Sequence, residues 1–504
     1  MSNECVPAKR HMRRLVIKTP GTVTAVALVV VTAMAAPGTA HASAAAGQQP
    51  FGVGVRHGDN CAAANLCGRS SWGTDSATLT AGLLGNGRTT VAVSPSEAQG
   101  ASYVPDSNVL RLPDGQWRYL PAGASEPVTV PAGDPGALVQ IAESRTWLAS
   151  GTVPGRTPLE RSVVARALLS MRLLTQPNGA VAAAWYGGWD FSWPRDSSFV
   201  AVAFARTGHL LEAQRILSYT MRTQRADGTW DARTKLDGSG PPDDRPWQLD
   251  ANGWVPWAVW EWYQAALPVQ RDQFLQTLYA GTQKAAKYAA GSLDVHGLPP
   301  ASPDYWELGT STPNIGTAAP LLAGLRAAAG LADLMGKHSD ACALDVVASR
   351  LSDGIATYFA PLGYPRTVDG QHGRDSAVTF MAPPFNQPPT DLAAAIDSTY
   401  QTLLRPNGGV IPGNDPDVTW ANSWTPATST FGLAWSTTKQ QRKATEVENW
   451  VVGQRNSLGE LPEQVNQAGA PASVTPLGWA DAITVLTLSQ LGGSVIPVPR
   501  AHVC

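Results

Sequence analysis

Residues 312–336 read TPNIGTAAPLLAGLRAAAGLADLMG. Ile315, Ala318, Leu322, Leu325, Ala329, Ala332 and Met335 recur there at three- and four-residue intervals, one face of a 3.6-residue period. Thr312-Pro313 marks the start of this helix and Gly336 its end. The same pattern recurs on both sides. Thr157-Pro158-Leu159-Glu160 combines a capping box with proline at the first helical position. Thr475-Pro476 opens another helix, with Trp479, Ala482, Ile483 and Leu486 on its buried face and Gly492 as its stop. Helical segments are expected near 137–150, 158–174, 196–207, 209–224, 250–267, 270–290, 313–336, 340–358, 389–404, 424–437, 440–457 and 476–491. They do not alternate with parallel strands, which disfavours a β/α barrel. Twelve helices imply six hairpins closed into a ring, an all-α (α/α)6 barrel over residues 136–495, with 496–504 as a tail.

Upstream the composition changes. Residues 43–135 are rich in Gly, Pro, Ser and Thr and read as a small β-rich region. Thr89-Thr90-Val91-Ala92-Val93 and Val109-Leu110-Arg111-Leu112 alternate like strands, and Gly85-Asn86-Gly87 is a turn signal. Residues 1–42 read as a secretory signal, which makes the expected location extracellular. Lys9, Arg10, Arg13, Arg14 and Lys18 are its basic part, Thr22 to Ala36 its apolar run, and Ala40-His41-Ala42 a cleavage pattern before Ser43. The apolar run is shorter than the roughly 20 residues of a membrane span, and no later stretch qualifies as long and apolar enough to be one.

A formal net charge of -2 gives no electrostatic reason to expect nucleic acid, whose binders need a positive excess. No phosphate loop, dinucleotide fingerprint or metal-ligand cluster is apparent, so no cofactor and no metal are expected. Removing the signal takes Cys5 with it and leaves Cys61, Cys67, Cys342 and Cys504, an even number that fits disulfides in an exported protein. Cys61 and Cys67 could close a small loop, leaving Cys342 and Cys504 to pin the C-terminus. A metal site is the alternative, but no Cys-x-x-Cys or His cluster supports it.

Polar-aromatic loops recur at the spacing of one helical hairpin: Trp189–Asp196, Trp247–Asp250, Asp304–Glu307, Gly373–Asp375, Gly413–Asp417 and Leu461–Gln464. In a ring of hairpins alternate loops meet at one end, so these would line one pocket. Tryptophans beside Gly, Pro and Asp (Trp185, Trp189, Trp193, Trp306, Trp420, Trp424) offer flat faces to the C–H faces of sugars. Inverting cleavage of a glycosidic bond needs a proton donor and a carboxylate that activates water, about 6.5–9.5 Å apart. Glu307, between Trp306 and Leu308, has the apolar setting expected to favour a protonated donor. Glu463, behind the stiff Leu461-Pro462, is the candidate base. Arg195, Asp196 and Asp250 can pair with sugar hydroxyls. Asp243-Asp244 could hold a Ca²⁺ but reads better as solvated charge.

These residues resemble glycoside hydrolase family 15, the family of glucoamylases, glucodextranases and some trehalases. Asn178-Gly179-Ala180 through Trp189-Asp190-Phe191-Ser192-Trp193-Pro194-Arg195-Asp196 resembles its opening motif, and Gln248-Leu249-Asp250 the second. Trp306-Glu307 is similar to the general-acid motif and Leu461-Pro462-Glu463-Gln464 to the general-base motif. Arg374-Asp375-Ser376 with Pro383-Pro384-Phe385, and Leu84-Gly85-Asn86-Gly87-Arg88 in the β-region, resemble further segments. The resemblance implies an (α/α)6 fold, inversion, and release of glucose from a non-reducing end of α-1,4- or α-1,6-linked glucans or oligosaccharides. It assigns the acid to Glu307, the base to Glu463 and the grip on the terminal sugar to Arg195 and Asp196. Trp189, Trp193, Asp250, Trp306 and Asp375 complete the expected substrate-binding set. Leu308 stands where many members have a second acid, and Ile411-Pro412-Gly413-Asn414-Asp415 where many carry an arginine. α,α-Trehalase is the alternative activity. A polysaccharide lyase on a similar ring and a non-catalytic carbohydrate-binding protein are the competing classes.

Overall fold

The structure, a computed structural model, describes residues 78–502 and Cys504. The expected signal segment and the Cys61–Cys67 pairing lie outside the described residues.

The strands come first. β1 (Gly82–Gly85) and β2 (Thr90–Val93) form an antiparallel hairpin. Asn86 turns it, its Oδ1 accepting from the backbone of Arg88 and Thr89. β3 (Ser102–Tyr103), β4 (Leu110–Arg111), β5 (Trp117–Tyr119) and β6 (Val128–Val130) make a four-stranded antiparallel meander. This β-region is docked by polar contacts. Thr90 Oγ1 donates to Leu173 O at 2.7 Å, and Arg166 reaches Ser107 O at 2.8 Å and Asn108 Oδ1 at 2.7 Å while lying over the Tyr103 ring.

Twelve α-helices follow among the described residues, one for each expected segment: α1 (Pro135–Ala149), α2 (Pro158–Leu174), α3 (Pro194–Arg206), α4 (Leu210–Arg222), α5 (Ala251–Ala265), α6 (Pro268–Ser292), α7 (Ile315–Leu334), α8 (His338–Tyr358), α9 (Leu392–Leu403), α10 (Thr425–Thr437), α11 (Gln441–Gly453) and α12 (Gly478–Leu491). The capping box at Thr157 and Glu160 forms as expected. α7 starts later than Thr312-Pro313 suggests, because the Asn314 side chain caps the Thr317 amide at 2.8 Å.

The ring closes as α3, α5, α7, a 3₁₀ turn at Ser376–Met381, α10 and α12, with α12 returning to α3. α2, α4, α6, α8, α9 and α11 pack outside. This is an (α/α)6 barrel, but its members differ from the expectation in one hairpin. α1 sits outside the ring against α2 and β5. The fourth inner element is six residues of 3₁₀ helix, read in sequence as loop, and Pro383-Pro384 just beyond it prevents a longer helix.

Inner helices are apolar on every side because every side is covered. In α5 all residues from Ala251 to Tyr263 are buried. The stripe read on α7 is therefore only part of its buried surface. α7 is also long and apolar enough to cross a membrane, contrary to the expectation, yet 89% of that window is buried inside the protein. α5 and α7 touch backbone to backbone at Gly253 and Gly324. A Cβ on Gly253 would stand 2.2 Å from Pro320 backbone, and one on Gly324 would stand 2.5 Å from Gly253 Cα. The ring is filled by Phe199, Trp254, Trp257, Phe380, Phe385 and Trp479, with neighbouring centroids such as Trp254–Phe380 4.9 Å apart. Cys342 and Cys504 are disulfide-bonded, Cα–Cα 5.7 Å, which ties the C-terminus to α8.

Candidate active site

Glu463 sits where backbone pairing fixes it. β7 (Ser423–Trp424), β8 (Gln464–Val465) and β9 (Pro471–Ala472) form a small antiparallel sheet, so the segment read as a proline-stiffened loop leads into a strand. Glu463 N donates to Val474 O at 2.9 Å, and Glu463 O accepts from Thr425 N at the start of α10. The side chain points into the ring end. Its Oε1 accepts from Trp189 Nε1 at 3.1 Å, and its Oε2 from Ser473 Oγ and from Gln464 Nε2 at 3.4 Å. Burial pushes the Glu463 carboxyl up to about 6, against the pull of these hydrogen bonds.

Glu307 is held by the loop between α6 and α7. Asp304 shapes it: its carboxylate accepts from Trp306 N at 2.9 Å and its carbonyl from Glu307 N at 2.8 Å. Glu307 itself has φ 60°, the left-handed region that L-residues rarely occupy. Its Oε1 accepts from Trp193 Nε1 at 2.5 Å, and its Oε2 from Arg245 Nη1. The apolar setting expected from Trp306 and Leu308 is thus corrected. Trp306 turns away from the carboxylate, lying over the Arg366 guanidinium at 3.8 Å and edge-on to Trp420.

Trp189 ends a 3₁₀ turn at Gly187–Trp189, and Trp193 is the N-cap of α3, so one loop reaches both glutamates. In the first turn of α3, Arg195 donates to Gln248 Oε1 at 2.9 Å and Asp250 Oδ2 at 3.0 Å, and lies 3.7 Å from Asp196 Oδ2. Burial pushes Asp196 up to about 6; Arg195 opposes this and the nearby Glu307 charge adds to it. Asp196 in turn raises Glu463, so its carboxylate lies within electrostatic range of both glutamates. Burial also raises Asp250, against Arg195.

The remaining expected residues form a layer beneath. Asp375, expected to bind sugar, is fully buried, accepting from Tyr305 Oη at 2.6 Å and from Ala377 N at 2.7 Å, with Arg366 3.6 Å away. It supports the Glu307 loop instead of facing a pocket. Burial, reinforced by Asp304, raises it to about 7. Gly413 comes so close that a Cβ there would stand 2.3 Å from the Trp306 ring. Trp306, Trp420 and Trp424 are buried, leaving Trp189 and Trp185 as the more open aromatics of the group.

Three arginines, Arg233, Arg245 and Arg366, were missed in sequence. Arg245 pairs with Glu307, and Asp243 bridges Arg245 and Arg233. Asp243 is therefore half-buried and ion-paired, not free for Ca²⁺, while Asp244 is exposed as expected. The signal was present, since Arg245 stands two residues before the Trp247–Asp250 segment. Arg366 joins Asp304, Asp375 and Asp415 in one buried cluster. His372, Asp415 and Asp417 bring ligand atoms within 4.8 Å of one another, but Asp415 is already paired with Arg366 and His372. A cavity of about 350 Å³ beside Leu362, Arg374 and Asn414 contains neither glutamate.

No known family profile matches the chain. A curated relative, an uncharacterised glycosyl hydrolase of Methanocaldococcus jannaschii, is 23% identical over 366 residues, 67% of this chain and 57% of the relative. The chain thus spans somewhat more than half the length of that relative. Among solved structures, a bacterial glucoamylase complexed with acarbose superposes with a TM-score of 0.58 at 18% identity, over 72% of this chain and 60% of that one. A glycosidase variant in complex with glucose gives 0.57 at 19% identity, over 66% and 97%. The glucoamylase of Saccharomycopsis fibuligera gives 0.52 at 14%, over 67% and 96%. The chain has the glucoamylase-type (α/α)6 fold, with small antiparallel sheets at its N-terminal side.

Proposed function

We propose that this protein is a glycoside hydrolase, an inverting exo-acting enzyme that releases glucose from non-reducing ends of α-1,4- or α-1,6-linked glucans or oligosaccharides. The observation that carries the proposal is the clasp of two carboxylates by one loop: Trp189 on Glu463, Trp193 on Glu307, with Asp196 in range of both. Glu463 is buried and titrates near 6, which suits a base acting close to neutrality. In this reading Glu463 takes a proton from water as the water attacks the anomeric carbon. Glu307 gives its proton to the departing glycosidic oxygen. The products are β-glucose and the shortened saccharide, and no cofactor takes part. Arg195 and Asp196 grip hydroxyls of the terminal sugar. Leu308 and the arginine-free 411–415 loop mark the leaving-group side as unlike that of many starch-cleaving relatives.

The basic, apolar and small-residue pattern of 1–42 supports export, and the Cys342–Cys504 disulfide fits an oxidising compartment. Proton NMR of the protein with maltose, isomaltose, trehalose and short glucans tests the reading. Early β-glucose from an α-linked glucan or disaccharide supports it, early α-glucose refutes inversion, and turnover of trehalose alone moves the activity to trehalase.

A further inference from the structure

Glu307 presents a geometric difficulty for its own chemistry. Both carboxylate oxygens accept hydrogen bonds, Oε1 from Trp193 and Oε2 from Arg245. A general acid must instead donate from one of them to the glycosidic oxygen. The oxygen that carries the proton is a weaker acceptor and must turn its O–H toward the substrate, which favours release of one partner when a substrate enters.

The two partners differ in their freedom. Trp193 is 6% exposed, is fixed at the N-cap of α3, and has Arg233 stacked on its ring. Arg245 is 24% exposed in its side chain and lies in the irregular segment before α5. It also has a second anchor. Its Nε lies 3.1 Å from Asp243 Oδ1, and its Nη2 lies 3.0 Å from Asp243 Oδ2. Withdrawal of Nη1 from Glu307 leaves that fork intact, so the guanidinium stays charge-paired and needs no new partner. Asp243 is itself fixed by Arg233 at 2.5 Å.

We infer that Arg245 is a specificity residue for the leaving group: in the empty site it covers Oε2 of Glu307, and on substrate entry it releases that oxygen and donates Nη1 to a hydroxyl of the departing sugar. The inference rests on the hydrolase reading above. It assigns Oε2 as the proton-bearing oxygen and supplies a cation beside the proposed acid.

The test compares two substrates in wild type, Arg245→Gln and Arg245→Lys: the α-linked disaccharide turned over best, and α-D-glucosyl fluoride, which has no leaving sugar. Loss of a charged hydrogen bond predicts that Arg245→Gln lowers kcat/KM on the disaccharide by about 10- to 100-fold, mainly through KM. On the fluoride it should stay within about threefold of wild type. Arg245→Lys, which keeps a donor, should recover part of the disaccharide activity and none of it should come from a change on the fluoride. Equal losses on both substrates by variants that melt like wild type would make Arg245 a structural support and overturn the assignment alone. Unchanged kinetics on both would overturn it as well. A wild-type protein silent on both substrates sinks the hydrolase reading, and the assignment with it.

Discussion

Trp189 and Trp193 stand at the two ends of one short loop, and their indole nitrogens reach different glutamates, Trp189 to Glu463 and Trp193 to Glu307. The loop acts as a spacer between the proposed acid and base. Trp193 caps α3 in the inner ring, so the spacing is set by the barrel wall and not by a free loop.

Loss of either carboxylate should stop turnover and spare binding. Glu307→Gln and Glu463→Gln are each expected to lower kcat by about 10²–10⁴-fold, the usual weight of general acid or base catalysis. Calorimetry with the preferred disaccharide should still register binding. Retained turnover in both variants would mean that these two residues are not the pair.

Activity should fall on the acid side with a midpoint near pH 6. The base must be ionised, and burial holds Glu463 at about 6. Ser473 donates to its Oε2 and so favours the ionised form. Ser473→Ala should therefore move the acid limb of kcat/KM to higher pH. A limb that stays in place would detach the profile from Glu463.

Gly253→Ala should cost about 1–3 kcal/mol or more, because the added methyl meets Pro320 backbone, which cannot rotate away. Chemical denaturation reads this directly. A variant as stable as wild type would show that α5 and α7 can separate cheaply.

Stability should decline as pH rises from about 5 to 8. Asp196 is raised to about 6, and Glu261 and Asp375 to about 7, above unfolded values near 3.9 and 4.3. A raised carboxyl stabilises the fold while protonated, and that contribution is lost as pH climbs through its folded value. Glu448 is raised well above the usual range by burial and by the nearby Glu160 charge, against a contact with Ser429. Glu448→Gln should narrow the difference in melting temperature between pH 5 and pH 8. A melting temperature that rises over that interval would contradict the burial of these acids.

Cys504→Ser should lower stability by about 2–5 kcal/mol, since the bond closes a loop with a sequence separation of 162. Equal melting of wild type and variant under oxidising conditions would show that the C-terminus contributes nothing.

The barrel was legible because its helices carry period, caps and stops, as in 312–336. The misassigned hairpin follows from the same logic. Ser376–Met381 is too short to read as a helix, whereas α1 is long enough to read as one without belonging to the ring. The two-residue strand that begins directly after Glu463 was not legible either, because such a strand is defined by its partners and not by its own residues. Asp375 and Trp306 illustrate a further limit. Acidic and aromatic types in a loop announce a polar centre, but whether they face the pocket or brace the wall depends on tertiary neighbours such as Tyr305 and Arg366.

The backbone of Glu307, at φ 60°, suits glycine better than any side chain, by about 1–2 kcal/mol. A Glu307→Gly chain would relieve the backbone but lose the proposed donor, and it would strip Trp193 Nε1 and Arg245 Nη1 of their acceptor. The position therefore carries a backbone cost that its side-chain contacts must offset, and a residue held in that balance leaves little room for drift to other residue types.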